Sequence, residues 1–190
     1  MPDSSADEDP ALDRLHGMRG QIEKVLGALT EAKVRYLVVG GVAVVLHGHL
    51  RTTLDLDLVL QLERDNLEKA LTTFTNLGFQ PRVPVPLWAF ADPNSREAWA
   101  REKNMTVFSL WHPELPAFVI DLFIQEPFDF EATYDRAVVV SLPETEVTVI
   151  SLTDLIEMKR LVGRPQDQSD IDALSRLTGE NRDRGSAGGR

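Results

Sequence analysis

Two aspartates one residue apart, Asp55 and Asp57, stand in the run Leu54-Asp55-Leu56-Asp57-Leu58-Val59-Leu60-Gln61. The apolar residues alternate, so a strand puts the four leucines on one face and Asp55, Asp57, Val59 and Gln61 on the other. The two carboxylates then share a face, with Cβ atoms roughly 7 Å apart. Like charges on a leucine-backed strand repel each other and resist burial. A divalent cation that prefers oxygen is the simplest remedy. A third carboxylate, Asp121, lies in Phe-Val-Ile-Asp-Leu-Phe-Ile, where every neighbour is apolar. A lone charge there requires a partner, either an arginine or a shared cation. If its strand lies beside the first, three carboxylates converge. That is enough to hold two Mg²⁺ ions ~4 Å apart, the arrangement used for phosphoryl and nucleotidyl transfer. Asp121 could then also accept the proton of an attacking hydroxyl. Taken alone, Asp55 and Asp57 also fit a metal-dependent glycosyltransferase, a phosphatase-like site or a solvated surface pair.

Upstream, Gly40-Gly41 falls between a short apolar run and a helical one. Such a turn presents unhindered backbone N–H groups at a helix start, which suits phosphate, although it also serves as a plain strand-to-helix turn. Arg51 and Thr53 directly precede the aspartate strand, where an arginine can meet phosphate bidentately or, as a loop residue, pair with a surface acid. Lys159, on the helix after the last β run, either reaches a triphosphate or stands as a solvated helix lysine. Arg164 stands before Pro165 in a helix-helix turn. Asp167 and Asp170, three apart, share a helix face and either hold Lys159 or Arg164 or cap the helix; Asp170 reads as structural. His47 and His49 read as structural too, because hard-cation sites rich in carboxylates seldom use imidazole. Trp88, Phe90 and Trp99, with Arg96, Arg101 and Lys103, could stack a base. A lid packed on the core is the preferred reading.

Periodicity supplies the elements that must position these groups. A helix is expected over 11–33 and a short strand over Tyr36–Val39. A second helix is expected from Val42 to His47, then the aspartate strand over 54–61. Asp65–Leu77 is a third helix, closed by Gly78. Phe79–Val83 suggests a strand before Pro84 and Pro86 interrupt it. Asp92-Pro93 opens a polar helix to about Lys103. Met105–Trp111 and Ala117–Gln125 read as a hairpin, and 126–137 as loop or short helix. Val138–Leu142 and Val147–Ile150 are short β runs. Ser151 caps a helix to about Val162, and a last helix starts at Asp167 or Ser169 and ends near Leu177. This predicts a disordered leader (1–10), an α/β core (11–150), a helical C-terminal part (151–180) and a disordered tail (181–190).

The chain has 190 residues, 43% of them hydrophobic, which suits one domain with a real core. It has no cysteine, so disulfides and thiolate metal sites are excluded. No stretch offers the ~18 uninterrupted apolar residues of a membrane helix, and the acidic start is opposite in character to a secretory signal. A cytoplasmic protein with no membrane partner is expected. The net charge of −10 argues against a groove for duplex DNA.

Taken together, Gly40, Gly41, Arg51, Thr53, Asp55, Asp57 and Asp121 resemble the motif set of the polymerase-β-like nucleotidyltransferase superfamily. The local form is similar to minimal bacterial members grouped with the AbiEii-type toxins, whose first motif joins Gly-Gly to R-x-T-x-D-x-D. Lys159 followed by Arg164-x-x-Asp167-x-x-Asp170 is similar to their R-x-K-D-x-x-D motif, with Gln166 where that group carries lysine. The resemblance spans roughly residues 34–177. It implies an α+β fold, a nucleotidyltransferase-like mixed β-sheet flanked by helices with C-terminal helices closing over the cleft. It implies Asp55, Asp57 and Asp121 as catalytic metal ligands for two Mg²⁺ (or Mn²⁺). Gly40, Gly41, Arg51, Thr53, Lys159, Arg164 and Asp167 would bind the NTP. The activity implied is NMP transfer to a hydroxyl on a tRNA 3′ end, a small alcohol or a protein, with a cognate antitoxin as a further partner. The alternatives are a non-catalytic antitoxin or regulatory module on the same fold and, third, the glycosyltransferase.

Overall fold

The computed structural model describes residues 10–53 and 55–186, with side chains described over 19–53 and 55–177. Runs rich in valine, leucine and isoleucine become strands: β1 (Tyr36–Val38), β2 (Asp55–Leu60), β3 (Gln80–Pro81), β4 (Val107–His112), β5 (Leu115–Phe123), β6 (Val138–Ser141) and β7 (Glu146–Val149). The helices are α1 (Pro10–Glu31), α2 (Gly40–Leu46), α3 (Arg64–Asn76), α4 (Pro93–Lys103), α5 (Phe130–Tyr134), α6 (Leu152–Val162) and α7 (Pro165–Ser186), with a 3-10 helix at Leu87–Ala91. Among the described residues the strands form one sheet in the order β3-β4-β5-β2-β1-β7-β6. Its pairings are antiparallel except β2–β5 and β1–β7. The result is an α+β fold, a mixed sheet flanked by helices.

The alternation around the aspartates produces the expected two-faced strand. Leu56, Leu58 and Leu60 are fully buried in the core. Val25, Leu26 and Leu29 of α1 and Leu67, Leu71 and Phe74 of α3 belong to the same core. Each such side chain contributes about 1.5–3 kcal/mol of burial. The aromatic segment packs inward: Trp99 stacks on Phe108 at 5.1 Å between ring centroids, and Phe90 lies 5.4 Å from the same ring. Trp88 alone of the three stays about half exposed, at 48%.

Of the boundaries that differ from expectation, three have a plain physical cause. β3 shrinks to two residues at the sheet edge, because the prolines at 81, 84 and 86 have no N–H to give a ladder. α2 starts at Gly40, not Val42, since Gly40 adopts a positive φ of 62° and turns the chain at once. α7 starts at Pro165, where a proline suits the first helical turn, and continues to Ser186, into the segment expected as disordered tail. The expected leader, save Pro10, and the last four residues lie outside the described residues. Gly163, at φ 69°, ends α6 and lets α7 fold back on it.

Candidate active site

β2 and β5 run side by side and parallel, and their register sets Asp57 directly against Asp121, with Leu56 against Ile120 and Leu58 against Leu122. Neighbouring strands lie about 4.8 Å apart, and opposed residues point to the same face. Asp55, two residues before Asp57, shares that face and stands at the exposed start of β2. The structure thus brings together the three carboxylates singled out in the sequence.

The row continues across the sheet. Ser109 of β4 opposes Asp121, and its hydroxyl donates to Asp121 Oδ1 at 2.5 Å. Beyond it, the Arg82 N–H donates to the Ser109 carbonyl at 2.9 Å, so Arg82 extends the same ladder at the outer edge. The Arg82 guanidinium makes no ion pair among the described residues, and its charge favours the ionised form of Asp55. Sequence reasoning singled out neither residue. Ser109 had a faint signal, a single hydroxyl among the apolar residues of Val-Phe-Ser-Leu-Trp. Arg82 had none, because the proline segment around it carries no periodicity.

The Gly-Gly turn closes the other side. The backbone at Gly40 has φ 62°, and a Cβ there would fall on the Asp57 carboxylate. A Cβ at Gly41 would sit 2.9 Å from Thr53 Cβ and 3.0 Å from Arg51 Nη2. Both glycines are therefore demanded by what presses against them. Thr53 Oγ1 donates to the Asp55 carbonyl at 3.4 Å, tying the loop to the start of β2.

This packing makes the carboxylates uneasy. Burial pushes the Asp57 carboxyl up to about 6, helped by the charges of Asp121 and Asp55. The Gly41 N–H and the Arg164 guanidinium pull the other way. Burial also raises the Asp55 carboxyl, with Asp121 adding to the rise and Arg82 opposing it. Among the described residues no three acidic or imidazole groups close on one point as a finished metal cluster. The donor set still suits a hard divalent ion: all-oxygen, of one charge, and held near neutrality only with difficulty.

A second polar cluster anchors the C-terminal helices. Lys159 Nζ of α6 donates to Asp167 Oδ1 at 3.2 Å and to Asp170 Oδ2 at 2.7 Å, all three residues being buried. Asp170 Oδ2 also receives Arg51 Nη1 at 2.5 Å, which joins α7 to the loop before β2. Among the described residues Arg51 Nε is buried without a partner. Arg164 bonds Asp167 Oδ2 through both its backbone N–H and Nε, each at 3.1 Å. Burial works to raise the Asp167 carboxyl, but Arg164 and Lys159 together hold it below its usual value. Of the expected phosphate-binding cations, Lys159 and Arg51 are thus already engaged by carboxylates. Arg164 remains largely exposed, and its charge reaches Asp57. His47 Nε2 lies 2.8 Å from the Ile150 carbonyl, a structural contact. A cavity of about 800 Å³ opens elsewhere, past the C-terminal ends of β2 and β5, lined by Gln61, Glu63, Arg96, Glu126 and Glu131 and by none of the three aspartates.

The fold has counterparts among solved structures. The lincosamide antibiotic adenylyltransferase LnuA, solved with lincomycin bound, superposes with a TM-score of 0.54 at 16% identity, covering 83% of this chain and 96% of its own. The structure of ANT(2″)-Ia in complex with adenylyl-2″-tobramycin gives 0.51 at 15% identity, covering 87% and 97%. At such identities these likenesses show a shared fold. No curated protein matches the sequence. A family model does, across residues 13–179, which takes in most of α1, most of α7 and every element between them. The chain belongs to that family, described as "Nucleotidyltransferase of unknown function (DUF6036)".

Proposed function

We propose that this nucleotidyltransferase moves a nucleoside monophosphate from an NTP to a hydroxyl acceptor in a Mg²⁺-dependent reaction. The observation that carries the reading is the register of β2 and β5, which faces Asp57 with Asp121 and leaves Asp55 on the same side. Asp55, Asp57 and Asp121 hold the divalent cation, which when bound supplies positive charge against the phosphate oxygens. Asp121 takes the proton of the acceptor hydroxyl. The acceptor oxygen bonds to the α-phosphorus, the bond from that phosphorus to the β-phosphate oxygen breaks, and pyrophosphate leaves. Gly40, Gly41 and Thr53 shape the turn beside the carboxylates, and Arg164 offers an exposed cation to the triphosphate. Arg51, Lys159 and Asp167 serve the nucleotide by fixing the helix pair that carries Arg164.

Two acceptor classes are open to direct assay. One is an RNA 3′ end, tRNA in particular, the target expected of a toxin with its antitoxin. The other is a small alcohol, as lincomycin and tobramycin are for the two solved neighbours. Isothermal titration with each NTP, with and without Mg²⁺, tests the core of the reading. Binding of at least one NTP that requires Mg²⁺ is expected, and the absence of any such binding removes it. α-³²P-labelled NTPs supplied with total RNA, lincomycin or tobramycin then identify the acceptor. Label that stays off RNA rules out the tRNA assignment. An NTP that binds without turnover on any acceptor favours the regulatory module.

A further inference from the structure

We infer that Ser109 is the positioning residue of Asp121, the hydroxyl that decides which carboxylate oxygen faces the reacting groups. The inference rests on the transferase reading above, since it concerns how that site is set. Three observations carry it. Ser109 and Asp121 are direct partners across β4 and β5, while Asp57 is the partner of Asp121 on the opposite side, across β5 and β2. Ser109 Oγ bonds Asp121 Oδ1 at 2.5 Å, a length typical of a hydroxyl donating to a carboxylate. Asp121 Oδ2 takes no hydrogen bond from any described residue.

The physical consequence follows from the freedom of an aspartate. Its terminal torsion is broad and roughly two-fold, so a strand alone does not fix the carboxylate plane. Asp121 also faces the Asp57 carboxylate across one strand spacing, and repulsion between them favours rotation away from each other. The Ser109 hydroxyl lies on the far side of β5 from Asp57. By claiming Oδ1 it draws one oxygen toward β4 and commits the carboxylate to a single orientation. Oδ2 is left as the oxygen that meets a cation or takes the acceptor proton. Outer partners of this kind orient the inner ligand, and their loss typically lowers activity or metal affinity by 10–100-fold. Serine is also short enough to do this from an adjacent strand without lifting the sheet.

The test compares Ser109→Ala, Ser109→Thr and Ser109→Val in the full chain. Threonine and valine have nearly the same shape and both suit a strand, but only threonine keeps the hydroxyl. Activity is read with α-³²P-labelled NTPs on whichever of total RNA, lincomycin or tobramycin the wild type labels. Mn²⁺ binding is read separately by electron paramagnetic resonance, and folding by thermal melting. The expected result is a fall in kcat on the order of 10–100-fold for Ala and Val, with KM for the NTP changed less than about three-fold. Threonine should restore kcat to within about five-fold of wild type. The Ala and Val variants should also bind Mn²⁺ more weakly than wild type and Thr. Valine with wild-type kcat and Mn²⁺ affinity overturns the inference while leaving the transferase reading intact. Threonine as impaired as valine, at an unchanged melting temperature, also overturns it. If Ala fails to fold, the Thr and Val pair still decides. A wild type that labels no acceptor overturns the transferase reading, and this inference with it.

Discussion

Asp57 carries the sharpest consequences of the site at the level of single residues. Its carboxyl is raised from 3.8 to about 6, mainly by burial. Below about pH 3 the group is neutral in folded and unfolded chains alike. As pH rises through about 4 to 6 the unfolded chain gives up this proton first, so the native state loses stability across that window. The loss is on the order of 2–3 kcal/mol and is complete above about pH 7. Asp57→Asn is therefore expected to abolish transfer and yet raise the melting temperature of the metal-free protein at pH 7.5 by a few degrees. The gain should vanish at about pH 3, below both pKa values. An equal gain at both pH values would show that charge burial is not the cause. Mg²⁺ should stabilise wild type and not Asp57→Asn, since only the former needs the charge relieved. Gly40→Ala should be damaging for a different reason: the new Cβ meets the Asp57 carboxylate, and φ 62° strains any side chain. A drop in kcat of more than about ten-fold is expected, with weaker Mg²⁺ stabilisation. Wild-type kinetics in this variant would mean that Asp57 can move without cost to the reaction. The alternation that puts Asp55 and Asp57 on one face is a local property and could be read from eight residues. The facing of Asp57 by Asp121 could not, because no local pattern says which strand will lie beside which.

The α6–α7 pair is held by a buried ionic cluster at the level of elements. Asp170 is its hinge pin, bonded to Lys159 on one helix and to Arg51 in the loop before β2. Removing one partner of a buried pair leaves the other charge uncompensated and costs about 3–5 kcal/mol. Asp170→Ala should therefore lower the melting temperature markedly and weaken NTP binding through misplacement of Arg164. Proteolysis of the C-terminal helices should speed up. Unchanged stability would mean that Lys159 and Arg51 find water instead. The sequence offered Asp167 and Asp170 as holders of Lys159 or Arg164 or as helix caps, because a spacing of three on one helix is a local signal. It did not show that Arg51, more than a hundred residues earlier, completes the cluster. Nor did it show Ser109 or Arg82, whose places are set by β4 and β3 pairing. Arg82→Ala should leave folding intact, since the side chain is exposed and makes no ion pair among the described residues, and should raise the Asp55 carboxyl further by removing its countercharge. Carbonyl-edited NMR titration of Asp55 would read that shift directly.

The whole molecule carries −10 net charge. Random-sequence duplex DNA is expected to bind more weakly than about 0.1 mM at physiological salt. Fluorescence anisotropy would measure it, and micromolar binding would reveal a basic surface that the charge balance does not suggest. Among the described residues no helix is long and apolar enough to cross a membrane. The mixed sheet itself has one more implication. β5 inserts between β4 and β2, so Asp121 reaches Asp57 across more than sixty residues of intervening chain. Contacts so distant in sequence form slowly, after local helices and hairpins. During refolding, helical content should recover before nucleotide binding does, and the slowest phase should set the return of activity. A chain still emerging from the ribosome would hold Asp55 and Asp57 alone and be inert until β5 is free to slide into place.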